Sequence, residues 1–297
     1  MFLSVVICTY NRDQHIERAL QSLTEQDFDK SAYEIIVVDN NSTDRTSEII
    51  RRFKDAHPNH QIVLAKETRQ GLSYARNKGI ELAKGTYISY IDDDGIARPD
   101  YVSQVKKYME QFPDDVAFGG KVLPKYETGQ EPAWMSRYIE RIISVVDLGD
   151  EVKTLKKIYP VGCNMIFKKV LFDKIGGFNT ALKLRSDDKY IFFKIREHGY
   201  RVLYLPKVVV WHFIDEFRTT LAYVKKVSRL NGEAEHIRIN TLKKNRTKTY
   251  IFRLLDYLFK LSAAGILWIG YALKGQSPKG KALFLSMWYS LRGFIGK

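Results

Sequence analysis

The feature that most constrains this chain is an uncharged run that ends in three consecutive aspartates. Residues 86–91 are aromatic or β-branched apart from one serine, which is the pattern of a buried strand in a parallel sheet. The aspartates at 92–94 follow at once, and they would repel one another in a compact site unless a cation or several donors held them. Gly95 then allows a turn, and Pro99 suits the first turn of a helix. The pattern favours a metal site at the end of a central strand over a solvated acidic turn.

Three earlier segments show the same alternation of strand and helix. Mostly apolar runs at 3–8, 33–38 and 61–65 predict strands, and each is followed by a polar loop and a helical pattern with one apolar face. Such repeats indicate βαβ units, a parallel sheet and right-handed crossovers. The loop at 9–12 has no glycine, which excludes a dinucleotide-binding fingerprint, and the chain contains no phosphate-binding P-loop motif. We therefore expect an α/β domain that holds any nucleotide through side chains and a metal.

The 297 residues are enough for one large α/β domain and an appendage, and the charge distribution marks where the two meet. Residues 1–215 have 32 Lys and Arg against 30 Asp and Glu, whereas residues 216–297 have 16 against 4, a net charge of +12. We therefore predict a main domain at 1–215 and a basic helical tail at 216–297. Cys8 and Cys163 lie in apolar runs, which fits a reducing compartment and predicts a cytoplasmic protein.

The basic tail has apolar helical segments between its charges. The 13 residues 261–273 are uncharged, too few to cross a bilayer comfortably as a helix, and Trp268, Trp288 and Tyr289 add aromatic side chains. Basic residues beside apolar helices suit a helical hairpin in an anionic membrane surface, so we predict a peripheral protein at the inner face of the cell membrane. Helix packing, or an oligomer interface through these helices, is the alternative. The charged half of the tail lacks interleaved aromatic residues and any known nucleic-acid-recognition motif, so we expect no nucleic-acid partner.

Short motifs follow one another along the chain: Thr9-Tyr-Asn-Arg12, Asp39-Asn-Asn-Ser-Thr-Asp44, Gly71-Leu-Ser-Tyr-Ala-Arg-Asn77, Asp92-Asp-Asp94, Gly162-Cys-Asn-Met165, Gly176-Gly-Phe178, Asp187-Asp188 and Trp211-His212. In this order they resemble glycosyltransferase family 2, the inverting nucleotide-sugar transferases of the GT-A fold. The resemblance covers roughly residues 1–215 and implies a Rossmann-like, mostly parallel α/β sheet flanked by helices. The family commonly has Glu-Asp where this chain has Asp187-Asp188, and Asp92-Asp-Asp94 occupies its DXD position.

The resemblance implies a donor site and a metal site. Sugar transfer from a nucleoside diphosphate needs a polar group for the base and a divalent cation on the leaving diphosphate. Asp94 and His212 would bind that cation, Mn²⁺ or Mg²⁺, and the imidazole favours Mn²⁺. From the residues alone, His212 could equally be a strand-end histidine, and Asp39 a loop cap. The donor-binding residues that the family pattern implies are Thr9, Tyr10, Arg12, Asp39, Arg76, Asn77, Asp92 and Asp93.

Transfer also needs a general base and a place for the acceptor. Asp188 is the candidate base, with Asp187 beside it, although either carboxylate could instead cap the helix that follows. Gly162 and Asn164 would border the acceptor.

We therefore predict an inverting glycosyltransferase that uses a nucleoside-diphosphate sugar, UDP-sugar being favoured, and acts by metal-assisted single displacement. Its acceptor would be a hydroxyl of a glycan or lipid-linked saccharide, as in polysaccharide biosynthesis. The alternative is a non-catalytic nucleic-acid-binding or membrane-tethered α/β protein whose acidic cluster is structural.

Overall fold

The computed structural model describes residues 1–156, 158–181, 187–242 and 244–296. The strands are β1 (Leu3–Thr9), β2 (Tyr33–Asp39), β3 (Ile62–Lys66), β4 (Tyr87–Asp92), β5 (Gly95–Ala97), β6 (Ala117–Tyr126), β7 (Lys153–Thr154), β8 (Met165–Lys168) and β9 (Leu203–Ile214). The α-helices are α1 (Ile16–Thr24), α2 (Thr46–Ala56), α3 (Leu72–Leu82), α4 (Tyr101–Gln111), α5 (Leu171–Ile175), α6 (Asp187–Glu197), α7 (Leu221–Asn240), α8 (Arg246–Leu273) and α9 (Ser277–Phe294), and short 3-10 helices cover Glu140–Ile143 and Glu216–Thr219.

The strands form one mixed sheet in the order β3-β2-β1-β4-β8-β6-β9-β5, with β7 added on β9. β1 pairs in parallel with β2 and β4, and β2 pairs in parallel with β3, which confirms the predicted βαβ half. β8 pairs with β4 and β6 in antiparallel fashion, and β9 does so with β5 and β7. In the parallel half Thr9 lies opposite Asp39, and Cys8 lies opposite Asp92. This register brings the polar strand ends to one edge of the sheet.

The described chain divides into two compact units. The first contains Met1–Leu123, residues 146–181 and residues 187–213, and the second contains Pro124–Val145 and residues 214–296. In the first unit both faces of the sheet are covered, because neighbouring residues of β1 belong to different buried clusters: Val5 to one and Val6 to the other. Strands buried on both faces need apolar residues at nearly every position, which explains the continuous apolar runs in the sequence.

The second unit is helical and has its own apolar core. Residues 124–145 contribute to this core. The indole of Trp134 is buried there and donates a hydrogen bond to the Thr219 carbonyl at 2.6 Å. α7 and α9 approach so closely that a Cβ at Gly232 would lie 2.0 Å from the Ser290 carbonyl oxygen. Among the described helices, none has the length and hydropathy needed to span a membrane.

Candidate active site

The three aspartates lie where β4 ends and the short strand β5 begins. Asp93 and Asp94 are buried, and Asp92 is partly exposed. Burial and the neighbouring Asp94 raise the pKa of Asp93 to about 7, although the charge of Arg12 acts in the opposite direction. The Arg12 Nε lies 3.5 Å from an oxygen of Asp93. A Cβ at Gly95 would lie 2.6 Å from the Ile91 side chain, so the close turn requires glycine. Consecutive carboxylates that are buried together need positive charge nearby to remain ionised.

His212 reaches these aspartates from β9. Gly95 pairs with His212 in the β5–β9 ladder, and His212 Nε2 lies 3.1 Å from Asp94 Oδ1. Three possible metal-binding atoms lie within 4.8 Å of one another, one each from Asp92, Asp94 and His212. Two carboxylates and an imidazole form a donor set that fits Mn²⁺. Asp92 is therefore a third candidate ligand beside the predicted metal ligands Asp94 and His212.

Arg76 connects the aspartate turn to the Asp187-Asp188 pair. Its buried guanidinium lies 2.5 Å from an oxygen of Asp187 and 3.6 Å from an oxygen of Asp92. Burial acts to lower the pKa of Arg76. The negative charges of Asp187 and Asp92 have the larger combined effect, so the pKa of Arg76 is raised. A Cβ at Gly162 would lie 2.3 Å from Arg76 Nη2, so glycine leaves the space for the guanidinium.

Asp188 differs from its buried neighbour Asp187 in being only half-buried at the start of α6. The Lys189 backbone N–H donates a hydrogen bond of 2.6 Å to its carboxylate. Of the two residues, Asp188 is therefore the more exposed.

A second group of polar residues lies at the ends of β1 and β2. Asp39 is buried, and its carboxylate accepts hydrogen bonds from the Ser42 backbone N–H at 2.9 Å and from the Ser47 hydroxyl. Thr9 is buried opposite Asp39, whereas Tyr10, the next residue, is exposed. A buried acceptor beside an exposed aromatic ring can bind one edge of a planar ligand while the ring contacts its surface.

The sequence matches the family model "Glycosyl transferase family 2" over residues 4–176, more than half of the chain. The chain belongs to this glycosyltransferase family. The match confirms the resemblance drawn from the motifs, and it identifies the protein as a sugar-transferring enzyme instead of a non-catalytic α/β protein.

Two named relatives of this glycosyltransferase come from one organism. A glucosyl-dolichyl phosphate glucuronosyltransferase of Haloferax volcanii is 29% identical over 251 residues, which cover 80% of this chain and 77% of the relative. The glycosyltransferase AglE of the same organism is 28% identical over 211 residues, 71% of this chain and 66% of the relative.

Solved structures confirm the GT-A fold of this glycosyltransferase. A mannosyltransferase from Pyrobaculum calidifontis in complex with GDP-Man and Mn²⁺ superposes with a TM-score of 0.66. It is 22% identical, and the match covers 99% of this chain and 87% of that one. Staphylococcus aureus TarS 1-349 in complex with UDP gives a TM-score of 0.57 at 16% identity, covering 100% of this chain and 92% of that one.

Two of the predicted site residues of the glycosyltransferase, Asn77 and Asn164, form hydrogen bonds with backbone groups inside the fold. The Asn77 amide donates to the Phe178 carbonyl at 2.9 Å and accepts from the Phe178 N–H at 2.7 Å. The fully buried Asn164 accepts from the Tyr101 hydroxyl at 3.1 Å and donates to the carbonyls of Lys121 and Val208, both at 3.0 Å. The hydrogen-bonding groups of these two side chains are therefore used inside the fold, and their predicted contacts with donor and acceptor stay predictions.

The structure also reveals two polar residues at the strand ends that the sequence reasoning did not select. The Asn40 amide donates to the carbonyls of Glu67 and Arg69, at 3.0 and 2.8 Å, and accepts from the Gly71 N–H at 2.8 Å. Glu67 is buried and forms a two-point hydrogen bond with the Arg69 guanidinium at 2.9 and 2.7 Å. Each residue lies two positions beyond a predicted strand and directly after an observed one, β2 or β3, and that position was the signal available in the sequence.

Proposed function

We propose that this glycosyltransferase transfers a sugar from a nucleoside-diphosphate sugar, UDP-sugar being favoured, to a hydroxyl of a glycan or lipid-linked saccharide. The observation that carries the proposal is the group of Asp92, Asp94 and His212, whose donor atoms lie within 4.8 Å of one another at the ends of the central strands. Neighbours of the same fold were solved with GDP-Man and Mn²⁺ and with UDP, and one relative is named for a glucosyl-dolichyl phosphate substrate.

In the proposed reaction, the strand ends hold the donor. Thr9, Tyr10 and Asp39 would bind the nucleoside, and Arg12 would contact the donor beside Asp93. Asp92, Asp94 and His212 would hold Mn²⁺ or Mg²⁺. Such a cation supplies positive charge next to the departing diphosphate. The predicted donor-binding residues Asn77 and Arg76 would act indirectly, Asn77 by fixing the backbone at Phe178.

Asp188 would act as the general base. It would remove the proton from the acceptor hydroxyl on the side of the anomeric carbon opposite the diphosphate, and a single in-line displacement would then invert the anomeric configuration. Asp187 would orient this segment through its ion pair with Arg76. The acceptor would pass near Gly162, whose lack of a side chain leaves room for the buried Arg76 guanidinium next to that segment.

We further propose that residues 1–215 form the catalytic domain and that the basic tail at 216–297 associates with the inner face of the cell membrane. The tail has 16 basic residues against 4 acidic ones, which suits an anionic surface. A peripheral location in the cytoplasm would bring the catalytic domain to a lipid-linked acceptor.

The test is nucleotide binding followed by turnover. Isothermal titration of the full chain with UDP and with GDP, each with and without Mn²⁺, should show metal-dependent binding, with UDP the tighter ligand. Incubation with the corresponding sugar nucleotides and a lipid-linked saccharide extract should then give a product whose anomeric configuration is read by NMR. Absence of metal-dependent binding for both nucleotides would contradict the proposal, and retention of the donor's configuration would contradict single displacement.

A further inference from the structure

The outward side of α8 has a continuous apolar stripe. Its positions are alternately three and four residues apart, which places them along one side of the helix. At 1.5 Å per residue, the stripe is roughly 30 Å long. Ser262 is the one polar residue at these positions. The large apolar side chains and their exposed fractions are Phe252 (70%), Leu255 (59%), Phe259 (73%), Ile266 (72%), Ile269 (65%) and Leu273 (85%).

The opposite side of α8 is held by its own unit. Ala264 is buried in the core of the helical unit, and the ring of Trp268 packs against Phe284 of α9 with centroids 5.6 Å apart. A Cβ at Gly280 would lie 2.5 Å from the Trp268 backbone, so α9 begins in direct contact with α8. This packing fixes the rotation of α8 about its axis. The stripe is therefore a defined face of the folded unit and not an incidental set of exposed residues.

The residues beside the stripe distinguish between two possible occupants. A second copy of this helix in a coiled coil would normally have charged residues flanking the apolar seam. Here the flanks include Ile251 and Leu258, which are 52% and 44% exposed, and the small residues Gly270 and Ala272. The apolar face is thus wider than a two-helix seam, and this width is typical of a helix lying in the interfacial region of a bilayer.

The charges around the stripe favour an anionic surface. Lys248 lies one helical turn before Phe252, and Lys274 directly follows Leu273, so an exposed cation stands at each end. The acidic residue of α8, Asp256, is already engaged by Arg253 at 2.9 Å and by Lys260 at 2.8 Å. Basic residues at the rim of an apolar face attract anionic lipid headgroups.

We infer that the α8 stripe from Phe252 to Leu273 is the membrane-binding surface of this protein and that its occupant is an anionic phospholipid bilayer. The helix would lie parallel to the membrane, with the stripe at the boundary between the headgroups and the acyl chains and with Lys248 and Lys274 at the phosphates. The inference rests on the proposed membrane location of the tail and assigns that location to one face of one helix.

The test uses the full-length protein and its flotation with vesicles. One set is pure phosphatidylcholine and the other is an equimolar mixture of phosphatidylcholine and phosphatidylglycerol. The variant Phe259→Asp/Ile266→Asp places two charges in the middle of the stripe and should lower affinity for the mixed vesicles at least ~10-fold. The matched control is Ile237→Asp, at a position on α7 that is 47% exposed and apart from the stripe, and it should float like the wild type. Circular dichroism melting confirms that each variant is folded.

A second variant tests the charges at the two ends. Lys248→Glu/Lys274→Glu should weaken binding to the mixed vesicles, and this loss should shrink as salt is added, because screening already weakens the wild-type attraction. Equal flotation of wild type and the stripe variant would overturn the inference. A second contradicting result would combine two measurements. Light scattering would show a dimeric wild type and a monomeric stripe variant, while flotation stayed the same, and the stripe would then join two copies of the chain. Because flotation is measured without donor or acceptor, its result does not depend on whether the proposed sugar transfer is correct.

Discussion

Arg76 and Asp187 form a buried ion pair that joins segments 111 residues apart in the chain. Their side chains are 3% and 5% exposed, and the same guanidinium lies 3.6 Å from Asp92. The ion pair thereby links α6, which begins with Asp187 and Asp188, to the aspartate turn. The two adjacent carboxylates differ in burial, because Asp187 is buried against Arg76 and Asp188 is only half-buried.

The first prediction concerns Asp188. Replacing it with Asn keeps its size and removes its basicity, so the Asp188→Asn enzyme should lose ~10²–10⁴ in turnover. Its melting temperature and its affinity for UDP with Mn²⁺ should stay near those of the wild type. Turnover with a saturating acceptor and calorimetric titration provide the two measurements.

Asp187 provides the contrast for this experiment. Asp187→Ala leaves the Arg76 charge buried without its closest partner, which should lower the free energy of unfolding by about 3–5 kcal/mol. Urea denaturation measures this loss. If Asp188→Asn turns over normally, whereas a folded Asp187→Asn does not, the base is Asp187 and the assignment is wrong.

The second prediction concerns the metal ligands. Asp94→Ala should abolish the Mn²⁺ dependence of UDP binding, because it removes a buried carboxylate from the group with Asp92 and His212. His212→Ala should weaken binding with Mn²⁺ more than with Mg²⁺, since imidazole is the ligand that favours the softer ion. Calorimetric titration of each variant with both ions gives the comparison.

Asp114→Ala is the control for the metal ligands, since Asp114 is an exposed aspartate outside this group. It should bind UDP and Mn²⁺ like the wild type. Unchanged Mn²⁺-dependent affinity in a folded Asp94→Ala protein would remove Asp94 from the metal site. Treatment of the wild type with EDTA should abolish transfer, and added Mn²⁺ should restore it.

The third prediction is a pH dependence of stability at Glu67. Hydrogen bonds from the Arg69 side chain lower the pKa of Glu67 from its ordinary 4.5 to about 2. A carboxylate whose pKa is lower in the folded state stabilises the protein above its unfolded pKa, and this contribution is lost as pH falls. The loss should therefore occur between about pH 4.5 and pH 2. Glu67→Gln should show a flatter fall in melting temperature across that range, and parallel curves would contradict the prediction.

The fourth prediction concerns the contact between α7 and α9. A Cβ at Gly232 would lie 2.0 Å from the Ser290 carbonyl oxygen, so the two helix backbones must separate in Gly232→Ala. Overpacking of this kind should cost ~1–3 kcal/mol of unfolding free energy. Gly270→Ala on α8 is the matched control, because its Cβ would meet no atom within 4 Å and alanine is the better helix former. The control should be neutral or stabilising in urea denaturation, and equal effects of the two changes would contradict the packing argument.

The parallel half of the sheet and the aspartate turn were predictable because their information is local. Strands β1 to β4 are short apolar runs between helices, and the carboxylates of Asp92 and Asp94 follow one of them directly. The match of residues 4–176 to the family confirms the fold and the enzyme class that the motif order indicated. The parts that depend on local periodicity were therefore readable from the sequence.

The roles of single polar residues were less predictable because their partners are distant in the chain. Asn77 meets Phe178, and Asn164 meets the carbonyl of Val208, at separations of 101 and 44 residues. A motif shows that such an amide is present but not whether a ligand or the backbone takes its hydrogen bonds. Trp134 is a similar case, since its partner is the Thr219 carbonyl, 85 residues further along the chain.

The pairing of β5 with β9 has a consequence for backbone motion. β5 has only three residues, and the Phe213 N–H donates to the Asp94 carbonyl at 2.9 Å while the Arg98 N–H donates to the Val209 carbonyl at 3.0 Å. A ladder this short opens readily, and its two sides hold the side chains of Asp94 and His212. A divalent ion held by both residues would keep the ladder closed. Amide hydrogen exchange at Phe213 and Arg98 should therefore slow when Mn²⁺ is added, which makes these two amides reporters of metal loading in the absence of any sugar.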